Sequence, residues 1–309
     1  MRRSAATSGI LILSILVSGA VCAGSTGLQA QDAARGAALL AEARQAVGGE
    51  ERLRAVKTLD VRGEFRRIAG QTTIEGELQI RLELPDKLRR DEDLSLPGGG
   101  PAIIRTEVLN GATVWEENSG RGGFFMGRLG GGGRGAGGAP DAGRGAAVDP
   151  AQVEEAQRRA WQGELARFLL VWLLVADGPV ASVGTAEAPD GRADVLEITP
   201  RAGPVMRLFL DQTSHLPLMI TWQGAAPQVV IAGRRGGRRG DAGAPPAGAP
   251  PAAGGQPATL QMTLAEYKTV NGLRLPHRIT RGVGDMTTEE WTVDGYRINP
   301  AFRGDVFTK

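Results

Sequence analysis

The chain has 309 residues, 46 of them Gly and 18 Pro, with a hydrophobic fraction of 41%. That length holds one or two domains, and the apolar fraction is that of an ordinary core diluted by low-complexity sequence. Arg2 and Arg3 supply the whole formal charge of +2, while segments 119–149 and 224–257 carry +2 and +3; the remainder stands at −5, which argues against a nucleic-acid-binding core.

Residues 1–30 read as a signal peptide. Arg2 and Arg3 form the charged start, Ile10 to Val17 is apolar, and small residues follow. Cleavage sites present themselves after Ala23 and after Ala30. The apolar run is shorter than the roughly 20 residues that span a bilayer. Cys22, the single cysteine, is either removed with this segment or acylated as the first residue of a lipoprotein. In the first case the mature chain has no disulfide, no thiol nucleophile and no thiolate ligand.

The folded domain is expected over 31–309. Leu39, Leu40, Ala43 and Val47 recur at helical spacing, predicting a helix over 33–47 that Gly48-Gly49 ends. The period then changes to two. Leu59, Val61, Gly63 and Phe65 share one face. Ile74, Gly76, Leu78, Ile80, Leu82 and Leu84 alternate with polar residues up to Pro85, predicting a strand with one buried face. Gly70-Gln71 is the expected turn between this pair. Asn110-Gly111, between 103–109 and 113–117, is a hairpin signal, because both residues tolerate positive φ.

Segment 119–149 is Gly, Ala and Arg with few core formers and reads as a disordered insert, with Phe124, Phe125 and Met126 as exceptions. A helix over 150–177 follows, with Asp149 as N-cap, Pro150 in its first turn and Glu154 and Glu155 at its positive end. Its second half, Phe168 to Ala176, is apolar all round. That is too short for a membrane span, so it must be enclosed by protein or covered by a ligand. Gly178-Pro179 stops it. Strands are predicted around 195–199, 205–210, 216–222, 260–267, 273–279 and 291–298. An Asp211–Ser214 turn and an Asn271-Gly272 hairpin join two pairs of them. A second Gly/Ala/Pro/Arg-rich insert occupies 224–257, with Val229 to Ile231 as an expected strand extension. The order is a helix, four strands, a helix and about six strands. Its natural closure is an α+β fold: a single curved antiparallel sheet, an incomplete β-barrel, wrapping a hydrophobic helix.

Catalytic constellations do not emerge. His215 and His277 are the two histidines, and with no second cysteine they make no structural zinc site. There is no G-x-S-x-G, H-E-x-x-H or G-K-[ST]. Gly-rich spacings near 120–138 lack the strand and helix that would cradle a phosphate. Asp91-Glu92-Asp93 reads as a solvated loop rather than a calcium site, and Glu289-Glu290 as the wet face of a strand. Arg121-Gly-Gly and Arg235-Gly-Gly read as filler, since Arg outnumbers Lys 32 to 4. No enzyme, cofactor or metal is expected. What stands out is aromatic weight: Trp161, Phe168, Trp172, Trp222 and Trp291 are either plain core or the lining of an apolar cleft.

Three passages carry a family resemblance. Ala46-Val-Gly-Gly-Glu-Glu-Arg-Leu53 precedes the first strand and Leu84-Pro-Asp-Lys-Leu-Arg-Arg90 closes an early one. Leu210-Asp-Gln-Thr-Ser-His-Leu-Pro217 is a strand-turn-strand. Tyr267-Lys-Thr-Val-Asn-Gly-Leu-Arg-Leu-Pro276 leads to Ile298-Asn-Pro300 and Phe307. Together they resemble the superfamily of the outer-membrane lipoprotein carrier LolA, with its LolB-, LppX/LprG- and RseB-like relatives. The resemblance implies an incomplete barrel enclosing helices around an apolar cavity for lipid chains. It does not extend to the two inserts or to the family's lid-locking arginine.

The expected role is a periplasmic or envelope carrier or binding protein for a lipid, lipoprotein acyl chain or other apolar ligand, non-catalytic. The expected lining is Leu78, Ile80, Leu82, Phe168, Leu169, Trp172, Leu208, Leu210, Trp222 and Trp291. The alternative is an envelope sensor that grips a protein partner through its rim, as RseB-like relatives do. A hydrolase is the third reading, without a nameable nucleophile. Secretion across the inner membrane is expected, with no transmembrane span after signal cleavage and no nucleic-acid partner.

Overall fold

The computed structural model describes residues 25–69, 72–95, 103–119, 150–174, 178–188, 191–225 and 257–309. Expectations for Cys22, the Gly70-Gln71 turn, Phe124 to Met126, Asp149 and Val229 to Ile231 lie outside these residues. The elements in order are α1 (Ser25–Val47), α2 (Glu50–Ala55), β1 (Thr58–Ala69), β2 (Thr72–Glu83), β3 (Lys87–Ser95), β4 (Ile103–Asn110), β5 (Thr113–Ser119) and α3 (Pro150–Val171). After α3 come β6 (Val180–Ala188), β7 (Gly191–Ile198), β8 (Met206–Asp211), β9 (Pro217–Ala225), β10 (Pro257–Val270), β11 (Leu273–Val283) and β12 (Met286–Ile298).

All twelve strands form one sheet in the order β5-β4-β3-β2-β1-β12-β11-β10-β9-β8-β7-β6. Every neighbouring pair is antiparallel, and β1 joins the first strand to the last by pairing with β12. The sheet is curved and does not close, since β5 and β6 stand at opposite ends of the order. This is the α+β curved sheet expected from the sequence. Asn299 secures the central seam: its carboxamide oxygen accepts from the Lys57 and Thr58 amides at 2.7 and 3.3 Å, and its Nδ2 donates to the Ala55 carbonyl at 2.9 Å.

The period-two reading of β2 holds on one face, where Leu78, Ile80 and Leu82 are buried. They join α1, α2 and α3 residues and the apolar faces of β8 to β12 in one core. Helix α1 lies close on β6 through Gly36, where a Cβ would stand 2.8 Å from the Ala181 carbonyl carbon. At the hairpin Asn271-Gly272 both residues have positive φ, 49° and 81°, as a tight antiparallel turn requires.

Several boundaries differ from the expectation. Helix α1 starts at Ser25, so residues 25–30 are helical. Strands reach into the expected inserts at Ser119, Gly224, Ala225 and Pro257. Helix α3 stops at Val171 rather than near 177. Leu173 takes a left-handed φ of 51°, its amide donates to the Leu170 carbonyl at 3.1 Å, and the Leu174 amide donates to the Leu169 carbonyl at 3.0 Å. That paired closure ends the helix with a leucine where glycine is usual, at a backbone cost of about 1–2 kcal/mol. The gain that holds it is burial, since Leu173 is 1% exposed. Two strands are additional. β3 contains Asp91-Glu92-Asp93, and β6 is a run of small residues bulged between Ser182 and Gly184.

Candidate functional site

The greasy segment lies inside the hollow of the sheet. Phe168, Leu169, Leu170, Val171, Trp172, Leu173 and Leu174 are all buried. The Phe168 ring stacks on Trp172 with centroids 5.5 Å apart and lies 5.8 Å from Trp291, and Trp172 meets Tyr296 edge-on at 6.3 Å. These contacts anchor the end of α3 against β12.

All ten residues expected to line a ligand site belong to this one core: Leu78, Ile80 and Leu82 on β2, Phe168 and Leu169 on α3, Trp172 just beyond it, Leu208 and Leu210 on β8, Trp222 on β9 and Trp291 on β12. They belong to one packed cluster, and of the ten Leu169 also lines the cavity beside α3.

That space is a cavity of about 340 Å³ beside α3. Gln162, Leu165, Ala166, Leu169 and Leu170 form its helix wall. Pro85 and Asp86 of the β2–β3 turn, with Leu109 and Gly111 at the β4–β5 hairpin, form a second wall. Ile198, Pro200, Arg201, Ala202 and Met206 around the β7–β8 loop form the third. The two arms of the sheet thus approach one another across α3 without pairing, and the helix fills the gap incompletely. The lining is mainly apolar, with Asp86, Arg201 and Gln162 its polar members. Asp86 and Arg201 are solvent-exposed, and neither side chain enters an ion pair among the described residues.

Sequence reasoning missed a second feature: a buried charge network between α3 and the sheet. The Arg67 guanidinium donates to Glu92 at 2.8 Å and to Glu289 at 3.1 Å. Arg90 pairs with Glu92 and donates to Glu289 at 3.0 Å. From α3, Glu164 accepts from Arg167 at 2.9 Å and meets Arg281 at 3.0 Å. The Trp291 indole donates to Glu289 at 2.6 Å, and Arg90 and Arg281 lie over its ring at 5.2 and 5.5 Å. Glu92 and Glu289, expected in solvent, are 1% and 6% exposed.

Burial works against each charge, and proximity to opposite charge decides the outcome. At Glu92 burial is outweighed by Arg90 and Arg67, which hold the carboxyl at about 2. At Glu164, despite burial, Arg281, Arg167 and Arg90 hold the carboxyl well below the usual carboxylate range. Glu107 on β4 goes the other way: burial, with Glu92 and Glu116 nearby, outweighs Arg105 and Arg90 and pushes it up to about 7. The signal for this network was the repeated Arg-x-Glu of Arg90-x-Glu92 and Arg105-x-Glu107. In the antiparallel β3–β4 register Arg90 faces Glu107 and Glu92 faces Arg105.

Among the described residues no group of three His, Cys, Asp or Glu side chains is placed to hold a metal ion, and no helix is long and apolar enough to cross a membrane. His277 is buried, its Nδ1 3.1 Å from the Leu275 carbonyl. His215 sits at a positive-φ turn 3.6 Å from Glu42.

The chain is similar in structure to a LolA superfamily protein from Nitrosomonas europaea, with 11% identity, 89% of this chain and 97% of that chain covered, and a TM-score of 0.43. It is similar to a DUF1329 family protein from Desulfovibrio piger, with 8% identity, 88% and 96% covered, and a TM-score of 0.42. It is also similar to MucB, with 14% identity, 90% and 63% covered, and a TM-score of 0.22. No family model and no curated protein matches the sequence. The first of these neighbours belongs to the superfamily that the sequence motifs resemble. Likeness at this level carries no argument about what the chain does, which rests on the cavity alone.

Proposed function

We propose that this chain is an envelope binding or carrier protein whose ligand places an apolar portion in the cavity beside α3. The observation that carries this reading is the cavity itself: about 340 Å³, open, walled mainly by Leu, Ile, Met, Ala and Pro side chains. Natural small-ligand sites occupy about 300–1,000 Å³ and are lined in this way, with a few polar groups. Transfer of each CH₂ from water into such a space contributes about 0.8 kcal/mol, so a chain of moderate length binds without any chemistry. Nine of the ten lining residues expected from the sequence become, in this proposal, the packing that positions α3, and Leu169 stays in the lining. Leu165, Ala166, Leu169, Ile198 and Met206 become the contact surface. The signal-like segment 1–30 supports export to the periplasm in the same reading, with Cys22 either removed or acylated.

Ala166 is half-buried and lines the cavity. Ala166→Phe fills the space from a position with room at its outer side. Titration with N-phenylnaphthylamine, an apolar fluorophore, should show a bright saturable complex with the native chain. The A166F chain should lose on the order of tenfold in affinity while its circular dichroism stays unchanged. Equal fluorophore binding by both chains would remove the cavity as the site.

A further inference from the structure

The mouth of the cavity carries one cation and one anion that do not reach each other. Arg201 stands in the β7–β8 loop and Asp86 in the β2–β3 turn, on different walls of the same space. Both are exposed, and among the described residues each lacks an ion-pair partner. Other exposed charges, including Arg274, Arg303 and Asp285, also stand without an ion pair among the described residues, and what sets Arg201 and Asp86 apart is that both line one cavity. Gln162 of α3 adds a carboxamide to the lining.

These observations constrain the head of the ligand. A purely apolar ligand that fills the mouth strips water from both charges and returns nothing, which is costly for ionised groups. An anionic head satisfies Arg201 and is repelled by Asp86, and a cationic head does the reverse. A head with both signs meets both. A guanidinium fork suits the tetrahedral oxygens of a phosphate, and a carboxylate suits an ammonium group.

The volume constrains the tail. At about 340 Å³ the cavity lies at the lower end of the range for small-ligand sites, which suits one slender chain.

We infer that the cavity recognises a zwitterionic amphiphile, one apolar chain inside and a phosphate-plus-ammonium head outside, with Arg201 on the phosphate and Asp86 on the ammonium. This rests on the cavity reading above and adds the identity of the head. Shape complementarity to Leu165, Leu169 and Met206 holds the chain, and the two mouth charges set the preference between ligands of equal chain length. Such a head is found on a single-chain lysophospholipid and on an intact two-chain lipid that lends one chain.

The test uses the full purified chain and a displacement titration of N-phenylnaphthylamine, below the micelle threshold of each competitor. Four twelve-carbon competitors are compared: lysophosphatidylethanolamine, lysophosphatidylglycerol, dodecylammonium and monolauroylglycerol. The zwitterion should bind on the order of tenfold tighter than the other three. Arg201→Gln should weaken both phosphate-bearing ligands about tenfold and leave dodecylammonium no weaker. Asp86→Asn should erase the preference for the zwitterion over the anion. Both positions are exposed, so the folded state persists in either variant.

If all four competitors bind within about twofold of one another, and both variants behave as the native chain while A166F blocks all four, the head assignment is wrong and the cavity reading survives. If no competitor displaces the fluorophore and A166F changes nothing, the cavity reading falls and the head assignment with it. Native mass spectrometry after incubation with vesicles of diacyl phosphatidylethanolamine identifies the source. A one-to-one complex with the diacyl lipid supports the head assignment and names the intact lipid, whereas a zwitterion preference without that complex supports it and names the single-chain form.

Discussion

At Glu289 three donors converge on one carboxylate: Arg67 and Arg90 at 3.1 and 3.0 Å and the Trp291 indole at 2.6 Å. The neighbouring Glu290 pairs across the sheet with Arg66, whose side chain is 48% exposed. Glu289→Ala leaves two buried guanidiniums short of a partner and should cost about 3–5 kcal/mol. Glu290→Ala should cost about 0–1 kcal/mol. Urea denaturation midpoints separate the two, and equal midpoints would contradict the buried network. Glu107 has the opposite signature. Its carboxyl is pushed from 4.5 up to about 7, so between those values the folded chain binds more protons than the unfolded one. Stability therefore falls as pH rises through that window. Glu92, held at about 2, contributes stability above 4.5 that is lost as pH falls towards 2. Glu107→Gln should flatten the decline between about pH 4.5 and 7 in a series of chemical denaturations, leaving the acid limb in place. An unchanged slope would place the proton elsewhere.

Among the elements, α1 depends on a close approach to an edge strand. Gly36 lets the helix backbone lie against Ala181 of β6, where an added Cβ would meet the Ala181 carbonyl carbon at 2.8 Å and the Ser182 amide nitrogen at 2.9 Å. Because these neighbours are backbone, Gly36→Ala should lower stability by about 1–3 kcal/mol despite the better helix propensity of alanine. Hydrogen exchange should quicken first in β6, and a stabilised protein would show that α1 lies farther from the sheet. The elements legible from sequence were those marked by a hydrophobic period or a turn signal: α1, β1, β2, β4, β5, α3 and β7 to β12. The curved antiparallel sheet and the burial of Phe168 to Leu174 followed from that pattern. β3 was not legible because Arg89 to Asp93 carries charge on both faces, so alternation of hydropathy is missing. β6 was not legible because Val-Ala-Ser-Val-Gly-Thr-Ala-Glu-Ala has little side chain to pattern; α1 provides its cover. The early stop of α3 was hidden by Leu173, which takes the left-handed turn that a sequence reader assigns to Gly178.

For the molecule as a whole, one open sheet with both ends unpaired has to manage its hollow. α3 fills most of it, tied by Glu164 and Arg167 to the charge network and by Phe168 and Trp172 to the aromatic cluster. The candidate site was half legible for this reason. The residues with the strongest apolar signal were identified correctly as lying between helix and sheet, but a residue that packs best against its neighbours leaves no room for a ligand. The cavity is found where the fit is poor, at the junction of a turn, a hairpin and a loop, and no periodicity marks those positions. The charged lining residues Asp86 and Arg201 lie 115 positions apart in the chain and line one cavity only because the two arms of the sheet converge. The most direct test of the cavity as a ligand site is native mass spectrometry of the chain isolated from the envelope without detergent. A one-to-one adduct with the mass of an apolar-tailed molecule, absent from the A166F chain prepared in parallel, is the predicted result. A bare protein mass in both preparations, with the cavity protons showing solvent water and no bound chain by nuclear magnetic resonance, would contradict it.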